Sequence, residues 1–215
     1  MKKPILLLLL SLATAAKAQE DITSQYIKNP SIEQDDISKL PTDDTRGAYT
    51  AKTVEGWTLE GSYGVSDIMT AAATATDNNF GAPGHPSDGK QMYYIRNAWN
   101  ASTATLLQAI TLPKGLYKLV LDNKCVTQSS HTASLIAGKE SLSLTFQGSL
   151  PATWNKNELM FETAQEEQVS IGLRVHFGSG SGGSVLIDNF RLYKMPDDYT
   201  EAEDPTEEAV SSFTE

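Results

Sequence analysis

The chain of 215 residues is 40% hydrophobic and 20% charged, and 17 Lys and Arg against 27 Asp and Glu leave a formal net charge of −10 at pH 7. No cluster of Lys or Arg interrupts that acidity, which argues against nucleic acid or an anionic membrane surface as a partner. A single cysteine, Cys125, rules out an internal disulfide, so packing of the core has to supply the stability.

The first residues, Met1-Lys2-Lys3-Pro4-Ile5, lead into five leucines and end at Ala16-Lys17-Ala18. A basic start, a short apolar run and small residues around the exit are the marks of a signal peptide over residues 1–18. The apolar run is too short to span a bilayer, and nothing downstream is apolar enough to insert. Export to the periplasm, the cell surface or the medium is therefore expected, with residues 19–194 as one domain and 195–215 as a tail.

Between Ile22 and Glu33 the apolar residues, broken by Asn29-Pro30, predict an edge strand with a bulge or break at the proline. Residues 34–53 are polar and read as a loop, and 56–61 as a short strand. Ala71 to Ala75 suggests a turn of helix. Residues 77–89, dense in Asp, Asn, Gly, Pro and Ser, predict a long surface loop of the kind in which binding groups concentrate. Gln91 to Trp99 restarts a strand, with Tyr93, Ile95, Asn97 and Trp99 on one face and Met92, Tyr94, Arg96 and Ala98 on the other.

Further strands are expected at 104–112, 116–122, 132–136, 141–146, 158–163 and 168–177. In the last of these Val169, Ile171, Leu173, Val175 and Phe177 alternate strictly and should face the core, leaving Ser170, Arg174 and His176 outside. Residues 184–194 read as the final strand, apolar and β-branched around a lone Asp188. About ten short strands with no convincing long helix predict an all-β fold, an antiparallel β-sandwich. The tail from Met195 holds eight acids and no base, so it reads as a solvated, disordered segment.

Several motifs are weaker than they look. Gly178 to Gly183 matches G-x-G-x-x-G, but the glycines lead into a strand rather than a helix N-terminus, so a hairpin connection is expected and not a dinucleotide site. His85, His131 and His176 lack zinc-ligand spacing, and no pair of acids sits in a recognisable catalytic context. No enzyme is expected. Cys125 reads as a buried, inert thiol and Trp57 as core, while Trp154 fits core or site equally. Trp99 is the candidate platform for a sugar ring, because an indole face stacks on pyranose C–H groups while polar donors fix the hydroxyls. Tyr94 and Arg96 share its strand, and Arg174 and His176 are the residues expected to join them on one surface.

Four segments give the chain a resemblance to a known group. They are Asn29 to Glu33, Gly56-Trp57, Gln108 to Tyr117 and Ile187 to Leu192, and in order and spacing they resemble the galactose-binding-like jelly-roll domains, which include many carbohydrate-binding modules of secreted bacterial proteins. The resemblance implies a jelly roll, a glycan ligand and, in several members, a structural calcium bound by an acid near each end of the domain. Glu33 and Asp188 hold the matching positions, and calcium's preference for hard oxygen ligands suits both. Ile32 departs from the aromatic usual there. The alternative for Asp188 is a carboxylate capping loop amides. The function implied is non-catalytic binding of a neutral or weakly acidic glycan; the rival is a structural, adhesive or assembly module of the cell envelope whose acidic tail contacts a protein partner.

Overall fold

The computed structural model describes residues 18–73, 83–97, 100–127, 131–145, 153–180 and 182–199. Thirteen strands are found among them: β1 (Glu20–Asp21), β2 (Thr42–Asp43), β3 (Ala48–Thr50), β4 (Thr58–Gly61), β5 (Val65–Thr70), β6 (Gln91–Asn97), β7 (Ser102–Leu112), β8 (Gly115–Thr127), β9 (Thr132–Ala137), β10 (Glu140–Ser143), β11 (Asn155–Thr163), β12 (Glu167–Phe177) and β13 (Gly183–Lys194). They form two antiparallel sheets. One has eight strands, in the order β11-β8-β13-β6-β5-β3-β2 with β1 added along β13, and the other has five, in the order β10-β9-β12-β7-β4.

The core between the sheets follows from the alternation. Val169, Ile171, Leu173, Val175 and Phe177 of β12 are all buried, and opposite them stand Tyr117, Leu119 and Leu121 of β8 and Tyr93 and Ile95 of β6. Trp57 lies here too, its ring centroid 4.4 Å from that of Phe190 and its indole N–H donated to the Asn29 carbonyl. Cys125 is fully buried, and burial pushes its thiol up to about 12, which keeps it inert.

Strand β13 runs through the middle of the larger sheet, between β8 and β6. Its register against β8 shifts between Asp188 and Arg191, where Asn189 takes a φ of 57°. The bulge resolves a conflict in the sequence. Val185 and Ile187 have one parity and Phe190 and Leu192 the other, yet all four reach the same core because one extra residue is taken up between them.

Two expectations need correction. Residues 22–33 are not an edge strand: β1 ends at Asp21, a single helical turn follows over Thr23–Tyr26, and Asn29 and Ile32 have positive φ values of 49° and 58°. The reason is local. The Asp21 carboxylate accepts the Thr23 N–H, the Thr23 hydroxyl accepts the Leu192 N–H, and Ile22, Ile27 and Ile32 each enter the core singly from an irregular path. Within 34–53, read as loop, the chain also makes a 3-10 turn at Ile37–Lys39 and the short strands β2 and β3.

The larger sheet also has an outer cluster. Ala48, Met69, Ala73, Met92, Tyr94 and Leu186 pack on its far side, with Val65 and Trp154 at the margin. Strands β5 and β6 are therefore buried on both faces, which explains why β6 shows no polar side in its sequence.

Candidate functional site

Among the described residues, those expected around Trp99 do not share one surface. Trp99 lies outside the described residues. Tyr94 is fully buried in the outer cluster, with its hydroxyl 3.2 Å from the Ser184 hydroxyl, so its ring has no face for a ligand. Arg96 follows two residues on, half-buried at the end of the same strand, on the outer side of the eight-stranded sheet. Arg174 and His176 are exposed, but on β12, in the other sheet. The two pairs thus face opposite sides of the sandwich. On the five-stranded face, Arg174 stands in register with Thr105 and Ser134, and His176 with Thr103 and Thr132, the Thr103 hydroxyl 3.1 Å from His176 Nδ1. Among the described residues, the register partners of Arg174 and His176 on that face carry hydroxyls and no aromatic ring.

What the fold does build is a cleft at the loop rim where β5 ends and β6 begins. Its volume is about 490 Å³, and its walls among the described residues come from Ile37, Thr70 to Ala72, His85, Pro86 and Gly89 to Gln91. Small and apolar side chains form most of that lining, and His85, Lys90 and Gln91 bring the polar atoms. Gln91 is 8% exposed; its amide N–H donates to the Asp35 carbonyl at 3.2 Å, while its buried Oε1 has no hydrogen-bond partner among the described residues.

Glu33 and Asp188 both hold this rim. Glu33 Oε1 accepts the backbone N–H groups of Lys90 and Gln91, each at 2.6 Å. Asp188 Oδ2 accepts the N–H groups of Ser87 and Asp88 at 2.8 and 2.9 Å and the Ser87 hydroxyl at 3.1 Å. Two acids from opposite ends of the domain therefore grip one turn, Ser87 to Gln91, from its two ends. Gly89 in its middle has a φ of +64°, and a Cβ there would lie 2.4 Å from Glu33 Oε1, so only glycine lets the carboxylate reach its two amides.

For a metal the donor set is incomplete. Among the described residues no group of three or more His, Cys, Asp or Glu is arranged to hold an ion. One feature does suit a hard cation: Asp188 Oδ1 is buried with no hydrogen-bond partner among the described residues, and burial pushes the carboxyl up to about 7 against the pull of the Asp88, Ser87 and Asn189 donors.

Sequence reasoning finds the loop at 77–89 through its turn residues, of which 77–82 lie outside the described residues, and it names Glu33 and Asp188 as metal ligands, where the structure shows them accepting amides of the turn. It misses Gln91, Ile37 and Thr70, which lie at element ends and carry no motif. Trp154 settles as a margin of the outer cluster whose indole N–H donates to the His85 carbonyl at 2.9 Å.

No protein-family model matches this sequence, and no curated protein matches it. Solved structures do resemble the fold. TmCBM61, a carbohydrate-binding module solved in complex with β-1,4-galactotriose, superposes with a TM-score of 0.50 at 17% identity, covering 79% of this chain and 97% of the module. The enzymatically active domain of bacteriophage CBA120 tailspike protein 4 gives 0.46 at 14% identity, with 79% of this chain matched to 21% of that one. The CBM22-1 xylan-binding domain of Paenibacillus barcinonensis Xyn10C gives 0.41 at 14% identity over 66% and 88% of the two chains. At these identities the likeness is one of fold: the chain is a β-sandwich of the jelly-roll type found in carbohydrate-binding modules.

Proposed function

We propose that this is an exported, non-catalytic protein that binds a neutral or weakly acidic glycan in the loop-rim cleft. The observation that carries the reading is the cleft itself, with walls of alanine, proline and isoleucine and the polar residues His85, Lys90 and Gln91 along them. Apolar walls with a few placed polar groups are what a sugar ring requires, one surface for its C–H faces and donors or acceptors for its hydroxyls. The likeness in fold to a module solved with a galactose oligosaccharide supports that reading. Hydrolysis would need two carboxylates flanking the bound sugar, and the acids beside the cleft, Glu33 and Asp188, each commit one oxygen to loop amides and hold the turn. A glycan array followed by titration calorimetry tests the proposal. Binding without release of new reducing ends supports it, and either turnover or no ligand at all refutes it.

We further propose a structural calcium with Asp188 Oδ1 as its carboxylate ligand and Glu33 on the same turn. An ion that binds only the folded chain raises stability by mass action, so chelation should lower the melting temperature and calcium should restore it. An unchanged melting temperature in protein shown by elemental analysis to be metal-free after chelation would remove calcium from the account. Export is tested by N-terminal sequencing of the mature protein, with Gln19 as the expected first residue.

A further inference from the structure

Lys124 is a cation in an unusual place. It stands on β8, in register with Leu186 of the outer cluster, and is only 6% exposed. No carboxylate pairs with it among the described residues. Its ammonium has two neighbours: the Pro83 carbonyl, to which it donates at 2.7 Å, and the ring of Trp154, whose centroid is 4.5 Å away. Burial depresses its tendency to hold a proton, and no carboxylate among the described residues offsets that cost.

A buried charge without a counter-ion weakens a fold, and an apolar side chain of the same length there is neutral or stabilising. Stability therefore does not explain this lysine. Its contacts do. Lys124 holds the carbonyl of Pro83 and also lies against Trp154, whose indole N–H holds the carbonyl of His85. The two side chains thus fasten carbonyls on either side of Gly84, and the next residues, His85 and Pro86, are the wall of the cleft. An ammonium over an indole face is attractive, and more so where water is excluded.

We infer that Lys124 and Trp154 form a clamp that positions the Pro83–Pro86 wall of the cleft, with Lys124 retained for that role and not for stability. Its relevance to ligand affinity rests on the reading of the cleft as the glycan site. In this arrangement one face of the Trp154 ring belongs to Lys124. Lys124→Met removes the charge and keeps the length, while Lys124→Arg keeps a cation that can reach the same carbonyl and ring.

The test combines thermal melting, amide hydrogen exchange and binding on these two variants of the mature chain. Lys124→Met should melt at or above the parent temperature, yet exchange its amides over residues 84–87 about tenfold faster, while β8 and β13 keep their protection. Lys124→Arg should restore the slow exchange. Against the glycan selected on the array, Lys124→Met should bind about tenfold more weakly and Lys124→Arg close to the parent. A large drop in melting temperature for Lys124→Met, or parental exchange over 84–87, would overturn the clamp. Parental affinity in Lys124→Met would overturn its role toward the ligand. If no glycan binds the parent protein, the proposed function fails and the exchange experiment still decides the clamp.

Discussion

At the scale of single residues, Asp188 and Gly89 show how the rim is held. Asp188 titrates in the wrong direction for an ordinary salt-bridged acid, because burial raises its folded value to about 7 from an ordinary 3.8. Between those two values the folded chain keeps a proton that the unfolded chain has lost, so stability falls as pH rises through that window and levels off above it. The effect on metal-free protein is at most on the order of 4 kcal/mol. Thermal melts across the window should show it, Asp188→Asn should flatten it, and a pH profile unchanged by that substitution would refute the assignment. Gly89→Ala places a Cβ against the Glu33 carboxylate in a left-handed backbone. It should cost about 1–3 kcal/mol in a denaturant titration and free the Lys90 and Gln91 amides to exchange.

At the scale of elements, β12 and β13 behave differently for physical reasons. From Val169 onward every second residue of β12 is apolar, so the alternation alone identifies its inner face and the exposure of Arg174 and His176. Strand β13 changes parity across its bulge, and that change depends on two distant partners, β8 and the Pro30 carbonyl that accepts the Phe190 N–H. Strand β5 has no legible period because it is buried on both faces while carrying Asp67, whose charge is met by Arg46 from the β2–β3 turn. The same distance in sequence hides the site. Which strands neighbour one another is decided by long-range pairing, so nothing in the chain announces that Tyr94 and Arg174 belong to different sheets.

Two element-level outcomes follow from close contacts. Gly172 lets β12 approach β7 so closely that a Cβ would sit 1.9 Å from the Leu106 carbonyl oxygen, and Gly172→Ala should cost at least about 3 kcal/mol in chemical denaturation. The domain also extends past β13: Met195 is buried and its N–H donates to the Leu116 carbonyl at 2.9 Å. A chain ending at Lys194 should lose about 2 kcal/mol, or about 4–8 °C of melting temperature, whereas one ending at Tyr199 should melt like the parent. Equal melting of the two truncations would show that Met195 adds nothing.

At the scale of the whole molecule, two sheets share one core, and the loop rim at the edge of that scaffold carries the cleft. Glu33 and Asp188, expected as metal ligands, hold the turn there, while Tyr94, Arg96, Arg174 and His176, expected on one sugar surface, lie elsewhere. The rim and the five-stranded face are thus competing locations for a ligand, and a pair of variants separates them. Ala72→Trp fills the cleft from an exposed turn, and the double substitution Arg174→Ala with His176→Ala strips the sheet face without touching the core. Calorimetric titration of the array-selected glycan into the parent and both variants is the most direct measurement. Binding should be abolished in Ala72→Trp at unchanged melting temperature and retained in the double variant; loss of binding in the double variant with full affinity in Ala72→Trp would contradict the account.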